Sequence, residues 1–118
     1  MVGKPVVNTI NIERGCPTVS RAEQRLKMEL ATLRRGGAKY AKVIHGYGSS
    51  GAGGSIRRMC RARLRTMCEN QLIKAICAGE SFGPFTPEGR SIVSQAPLLR
   101  QDVDWSRSNP GITIVVLK

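Results

Sequence analysis

Residues 40–61 read YAKVIHGYGSSGAGGSIRRMCR, and the fold turns on how this stretch is read. Tyr40 to Ile44 is a short β-type run that ends at His45. A glycine-rich segment, Gly46 to Gly54, follows it. From about Ser55 the apolar residues recur at helical spacing, at Ile56, Met59 or Cys60, Leu64, and Met67 or Cys68. A strand passing through a glycine-rich turn into a helix is the central piece of an alternating α/β chain.

The flanking sequence supplies the rest. Val6 to Glu13 is predicted to be a strand, with Asn8, Ile10 and Ile12 on one face and Thr9, Asn11 and Glu13 on the other. Arg14-Gly15-Cys16-Pro17 breaks it. Thr18 or Ser20 can cap the next helix, and Ser20 and Glu23 have capping-box spacing. Val19, Ala22, Leu26, Leu30 and Leu33 form its apolar stripe, and Gly36-Gly37 stops it. Leu72 to Cys77 and Ile112 to Leu117 are the third and fourth strands. The last is nearly all β-branched, as suits the middle of a sheet. Between them, Pro84, Pro87, Pro97 and Pro110 interrupt an irregular stretch, with a short helix expected from Pro87 to Gln95. The expected fold is one α/β domain over residues 1–118. It is a small two-layer sandwich whose mixed four-stranded sheet holds a parallel βαβ unit, with helices mainly on one face and an insertion at about 79–110.

The charge balance narrows the choice of partner. Nineteen Lys and Arg face eight Asp and Glu, a formal net charge of +11 in 118 residues. That excess repels itself in the folded state and favours a polyanion, of which nucleic acid is the commonest. No apolar stretch is long enough to cross a bilayer, so no membrane partner is expected. The leading MVGKPVV lacks a signal-peptide core, and the expected compartment is the cytoplasm. Cys16, Cys60, Cys68 and Cys77 include no C-x-x-C pair and have a single histidine for company, so reduced thiols are expected and no metal site.

The glycine-rich loop leads into a helix N-terminus, whose unpaired N–H groups and dipole attract an anion. Glycine backbone at Gly46, Gly48 and Gly51 can approach a phosphate closely, and Ser49, Ser50 and Ser55 add hydroxyl donors. Gly46, Gly48 and Gly51 also spell G-x-G-x-x-G, but the helix starts well past the third glycine. The nearest later acid, Glu69, falls at a helix end, so no nicotinamide or flavin cofactor is expected. Arg57, Arg58, Arg61, Arg63 and Arg65 follow on the helix with no acid before Glu69. Arg57, Arg58, Arg61 and nearby Lys42 are the expected phosphate contacts. Tyr47, between two glycines, is placed to stack on a base. Trp105 is read as covering a loop, and Asp102 and Asp104 as turn caps. His45, the one histidine, ends a strand beside the loop, where it serves either as a hydrogen-bonded structural residue or as a general acid–base.

The segment Lys42-Val-Ile-His-Gly-Tyr-Gly-Ser-Ser-Gly51 resembles the strand and histidine-glycine-x-glycine-x-glycine loop of the small MutS-related (Smr) domain family. Thr18 to Glu23 resembles the start of that family's first helix, and Gly111 to Leu117 its closing strand. The resemblance spans residues 6–117. It implies an α/β sandwich similar to the C-terminal domain of translation initiation factor three, and a function in binding DNA or RNA, in several members with nicking or cleavage. The family's leucine-aspartate-x-histidine signature reads Ile10-Asn11-Ile12-Glu13 here, so asparagine replaces the aspartate and glutamate the histidine. The first expectation is therefore a nucleic-acid-binding domain with no cofactor. The second is an endonuclease using His45, Glu13 and Asn11, in which Glu13 would hold Mg²⁺ or activate water. The third is a protein-interaction module built on the 79–110 insertion.

Overall fold

A computed structural model describes residues 7–47 and 53–118. In chain order it contains β1 (Asn8–Asn11), α1 (Val19–Arg35), β2 (Tyr40–Ile44), α2 (Gly53–Glu69), β3 (Ala75–Ala78), α3 (Pro87–Gln95) and β4 (Ile112–Val116). Single 3₁₀ turns lie at Gly79–Ser81 and Pro97–Gln101. The four strands form one mixed sheet in the order β1-β2-β4-β3. β1 and β2 are parallel and joined through α1, whereas β4 runs antiparallel to both of its neighbours. This is the expected α/β architecture with its one parallel unit.

β4 is central and every one of its residues is buried, which is why an unbroken Ile-Thr-Ile-Val-Val run is tolerated there. α1 and α2 cover one face of the sheet. Ala22, Leu26 and Leu30 of α1 and Ile56, Cys60 and Leu64 of α2 meet Ile10, Ile12, Ala41, Val43 and Val115 there. Each buried leucine contributes about 2 kcal/mol by leaving water. The 79–110 stretch packs on the opposite face, with Phe82, Ile92, Val93 and Leu99 against Cys77, Ile112, Ile114 and Val116. Trp105 closes this second cluster with its edge to Phe82, at a ring separation of 4.9 Å. The insertion is thus a second cover for the sheet.

Helix starts follow their caps. Thr18, not Ser20, caps α1, its Oγ1 accepting from the Arg21 N–H at 3.2 Å. Glu23 is drawn instead into an ion pair with Arg63 of α2. Thr86 caps α3 through the Gly89 N–H, with Pro87 in the first turn. Two strand boundaries differ from expectation. β1 is shorter because the Asn11 side-chain oxygen accepts the N–H groups of Glu13 and Arg14, both at 3.0 Å, and turns the chain away. β3 begins later because Gln71, at φ +62°, ends α2 and lets Leu72 bond back to Met67. Ile73 then plugs the α1–α2 side of the core, and pairing starts with Lys74 N–H to the Val116 carbonyl.

Candidate functional site

Residues alternate across β2, so its C-terminal end offers two different surfaces. Val43 and His45 face α2, while Lys42 and Ile44 face the 79–110 cover. His45 is fully enclosed, at 0% exposure. Its Nδ1 lies 3.0 Å from the Gly46 carbonyl and its Nε2 lies 2.9 Å from Thr113 Oγ1. A carbonyl only accepts, so Nδ1 carries the proton and the Thr113 hydroxyl donates to Nε2. Arg61 Nε in turn donates to Thr113 Oγ1 at 3.2 Å. Burial pushes the imidazole pKa down to about 4, against the pull of the Gly46 carbonyl and with help from Arg61 and Arg57. His45 is therefore neutral at neutral pH, and both ring nitrogens are spent inside the protein. The structure gives it the structural role of the two that its position allowed.

Arg61 is similarly committed. Its guanidinium makes a two-pronged bond to Glu80, at 2.9 and 2.6 Å, and reaches the carbonyls of Pro110 and Ile112. Desolvation raises the Glu80 pKa, but the Arg61 hydrogen bond and charge outweigh it and hold the carboxyl below its usual range. Lys42 was expected at a phosphate, and its placement corrects that. Its side chain is 9% exposed and bridges Asp102 at 2.9 Å and Asp104 at 2.6 Å. Burial disfavours the ammonium, yet the two carboxylates more than compensate and keep its pKa raised. Asp102 also caps the local turn by accepting the Asp104 N–H, as the sequence suggested. Its second role, holding Lys42 across the sheet, carries no local sequence signal. The cations of Lys42 and Arg61 were read as surface charge because their carboxylate partners lie 60 and 62 positions and 19 positions away in the chain.

The other expected residues divide by position. Arg57 is half-buried near His45 and Glu80; Arg58 is exposed and donates to Ser55 Oγ at 3.0 Å. Tyr47 is 60% exposed. Gly46 has φ +78°, and a Cβ there would lie 2.1 Å from Glu13 Oε2, so only glycine lets the Glu13 carboxylate rest against this turn. Both the His45 and Gly46 N–H groups bond the Gly111 carbonyl at 3.0 Å, which pins the start of the loop to β4. Gly48, Ser49, Ser50 and Gly51 lie outside the described residues.

No protein-family model matches this sequence, and a comparison with curated proteins gives no match. Comparison of structures is informative. The chain is similar to the Smr domain of MutS2 from Thermus thermophilus, with a TM-score of 0.57 and 20% identity over 95% of this chain and 99% of that one. The fold is that of an Smr domain.

On this Smr-like frame, the positions resembling the family's first-strand signature do not assemble with His45. Asn11 spends its side-chain oxygen on the turn, and His45 faces the helical side of the sheet. Glu13 is exposed, and its carboxylate has no hydrogen-bond or ion-pair partner among the described residues. Among those residues no group of three His, Cys, Asp or Glu side chains is arranged to hold a metal ion. The thiols of Cys60 and Cys77 are buried and pushed up to about 12 and about 11 by desolvation, which makes them inert. No described helix is long and apolar enough to cross a membrane.

Proposed function

We propose that this Smr-like domain binds nucleic acid, holding the phosphate backbone at the end of the sheet where β1 and β2 give way to α1 and α2. The observation that supports this reading is a group of five arginines at one end of the sheet; other cations, Arg34, Arg35, Arg65, Arg90 and Arg100 among them, also have no carboxylate partner among the described residues but lie elsewhere. Lys42, Arg61 and Arg63 are neutralised by carboxylates within the protein. Arg14, Arg21, Arg25, Arg57 and Arg58 have no carboxylate partner among the described residues. All five belong to the turn after β1 or to the N-terminal halves of the two helices, and parallel pairing of β1 with β2 brings these to one end of the sheet. Neither helix has an acid in its first turn. Helix dipoles and arginines therefore add at the same edge.

Holding is favoured over cutting. A general base must reach the proton it removes, and His45 is enclosed with both nitrogens satisfied. The test is titration of a fluorescent single-stranded oligonucleotide at several salt concentrations. Affinity is expected to fall steeply with salt, and Arg57→Ala and Arg58→Ala should each lower the log–log slope by about one. Affinity that ignores salt would overturn the proposal.

A further inference from the structure

On the insertion side of the sheet, a cavity of about 190 Å³ opens at the C-terminal ends of β1 and β2, away from the arginine-rich edge of the helical layer. Its polar lining is Thr9, Glu13, Lys42, Tyr47, Asp104 and Asn109. A neighbouring groove of about 390 Å³ shares Tyr47, Asp104 and Asn109 and adds Arg107. The cavity falls short of the roughly 300–1,000 Å³ of ordinary ligand pockets, so it suits one ring system better than a whole nucleotide.

Its charge is opposite in sign to the rest of the molecule. Lys42 is already shared by Asp102 and Asp104, and Glu13 adds a carboxylate with no partner among the described residues. A phosphate is repelled here, whereas a donor edge is welcome. Asn109 is locked, its Nδ2 donating to Asp104 Oδ1 at 3.1 Å and its Oδ1 accepting the Gly111 N–H at 2.9 Å. Asp104 is locked too, its Oδ2 on Lys42 and its Oδ1 on Asn109, so the groups left to meet a ligand are the Glu13 carboxylate, which only accepts, the Thr9 hydroxyl and the exposed ring of Tyr47. Gly46 is part of the device, because any side chain there would expel Glu13.

We infer that this cavity reads a guanine base of a single-stranded nucleic acid, stacked on Tyr47 with its two donors on the two oxygens of the Glu13 carboxylate. Guanine alone presents two adjacent donors, N1–H and the N2 amino group, with no acceptor between them; its O6 lies beyond N1, outside the reach of a carboxylate that takes both donors. Adenine and cytosine pair their amino group with an unprotonated ring nitrogen, and uracil and thymine flank one N–H with two carbonyls. Those edges set lone pairs against the carboxylate. Arg107, exposed in the adjoining groove and without a carboxylate partner among the described residues, meets the phosphate beside the base.

This inference rests on the nucleic-acid reading, and one experiment separates the two. A ten-nucleotide thymidine strand is compared with the same strand carrying one central guanosine, on the full chain and on Glu13→Ala. Glu13 is exposed, so the substitution leaves the core untouched. The wild type is expected to prefer the guanosine strand by roughly tenfold, within the range of a good two-point base contact, and Glu13→Ala to bind the two strands alike. Equal binding of both strands by the wild type overturns the guanine pocket and leaves nucleic-acid binding standing. A preference that survives in Glu13→Ala overturns the role given to Glu13. Failure of both strands to bind at low salt overturns both readings.

Discussion

Acid should unfold this protein through His45 before it does so through any carboxylate. The ordinary imidazole value of 6.5 applies in the unfolded chain, and burial lowers it to about 4 in the folded one. The folded state therefore takes up a proton less readily than the unfolded state. Stability from this group is complete above pH 6.5 and is lost as the pH falls toward 4. Between pH 7.5 and 5 the loss comes to about 2 kcal/mol, and with a urea dependence of about 2 kcal/mol per molar the unfolding midpoint drops by about 1 M. His45 is the only histidine, so nothing else of its type titrates in that window. Glu23, Glu80 and Asp104 are also held below their ordinary values and also destabilise the fold in acid. Their ordinary values are 4.5 or less, so that loss falls mostly below pH 5, beneath the window in which His45 acts. Urea denaturation of the wild type and of His45→Gln at both pH values is the assay, and the variant should lose most of the difference. If that variant does not fold, the wild-type imidazole proton shifts, followed by NMR, should hold steady from pH 7.5 to 5. A flat wild-type midpoint, an equal drop in His45→Gln, or an imidazole titrating near 6.5 would refute the enclosed neutral histidine.

Two stability measurements probe the same scaffold elsewhere. Lys42→Met strands Asp102 and Asp104 beside each other in a largely buried site and should cost about 3 kcal/mol at pH 7. Thermal melting should show roughly a 10 °C decrease; a loss under about 1 kcal/mol would mean that water already reaches them. Gly89→Ala puts a methyl 2.0 Å from the Gly83 carbonyl and 2.6 Å from that of Ser81, and should cost about 2 kcal/mol by urea denaturation. The control Gly36→Ala meets only the Thr32 carbonyl at 3.4 Å and should stay within about 0.5 kcal/mol. Equal effects at the two sites would show that α3 does not press on the 81–83 backbone.

Local pattern carried most of the architecture. β2, α3 and most of β4 fall where spacing and branching place them, because a period of two or of 3.6 is written in consecutive residues. The charge assignments at Lys42 and Arg61 did not carry over, for a reason equally physical. A cation's partner is fixed by the tertiary fold, and Asp104 and Glu80 reach these two residues only once β4 and the insertion are in place. The same holds for His45. Its position at a strand end beside a loop was legible, but whether it faces solvent depends on Thr113 and Arg61, which arrive from β4 and α2. The Glu13–Tyr47–Asp104 cavity draws on three separate parts of the chain. Its one sequence-level trace was Tyr47 lodged between glycines.

These misplacements share a direction that bears on what the site does. Lys42, His45 and Arg61 lie at or near the end of β2, and each is consumed in holding elements together: Lys42 ties the sheet to the 102–104 turn, and Arg61 and His45 tie α2 through Thr113 to the loop start, while Glu13 beside Gly46 is left exposed. A site for bond breaking needs its reactive groups free and reachable, whereas a site for recognition needs its backbone and rims held still. By turning His45 inward, the protein fixes the Gly46 carbonyl and the path of the chain toward α2. By neutralising Lys42, it keeps a cation from drawing phosphate into the acidic cavity. What is left facing solvent is arginine on one side of the loop and carboxylate with tyrosine on the other. Under the proposed function, that division assigns backbone holding to the arginines and base reading to the carboxylate and the tyrosine.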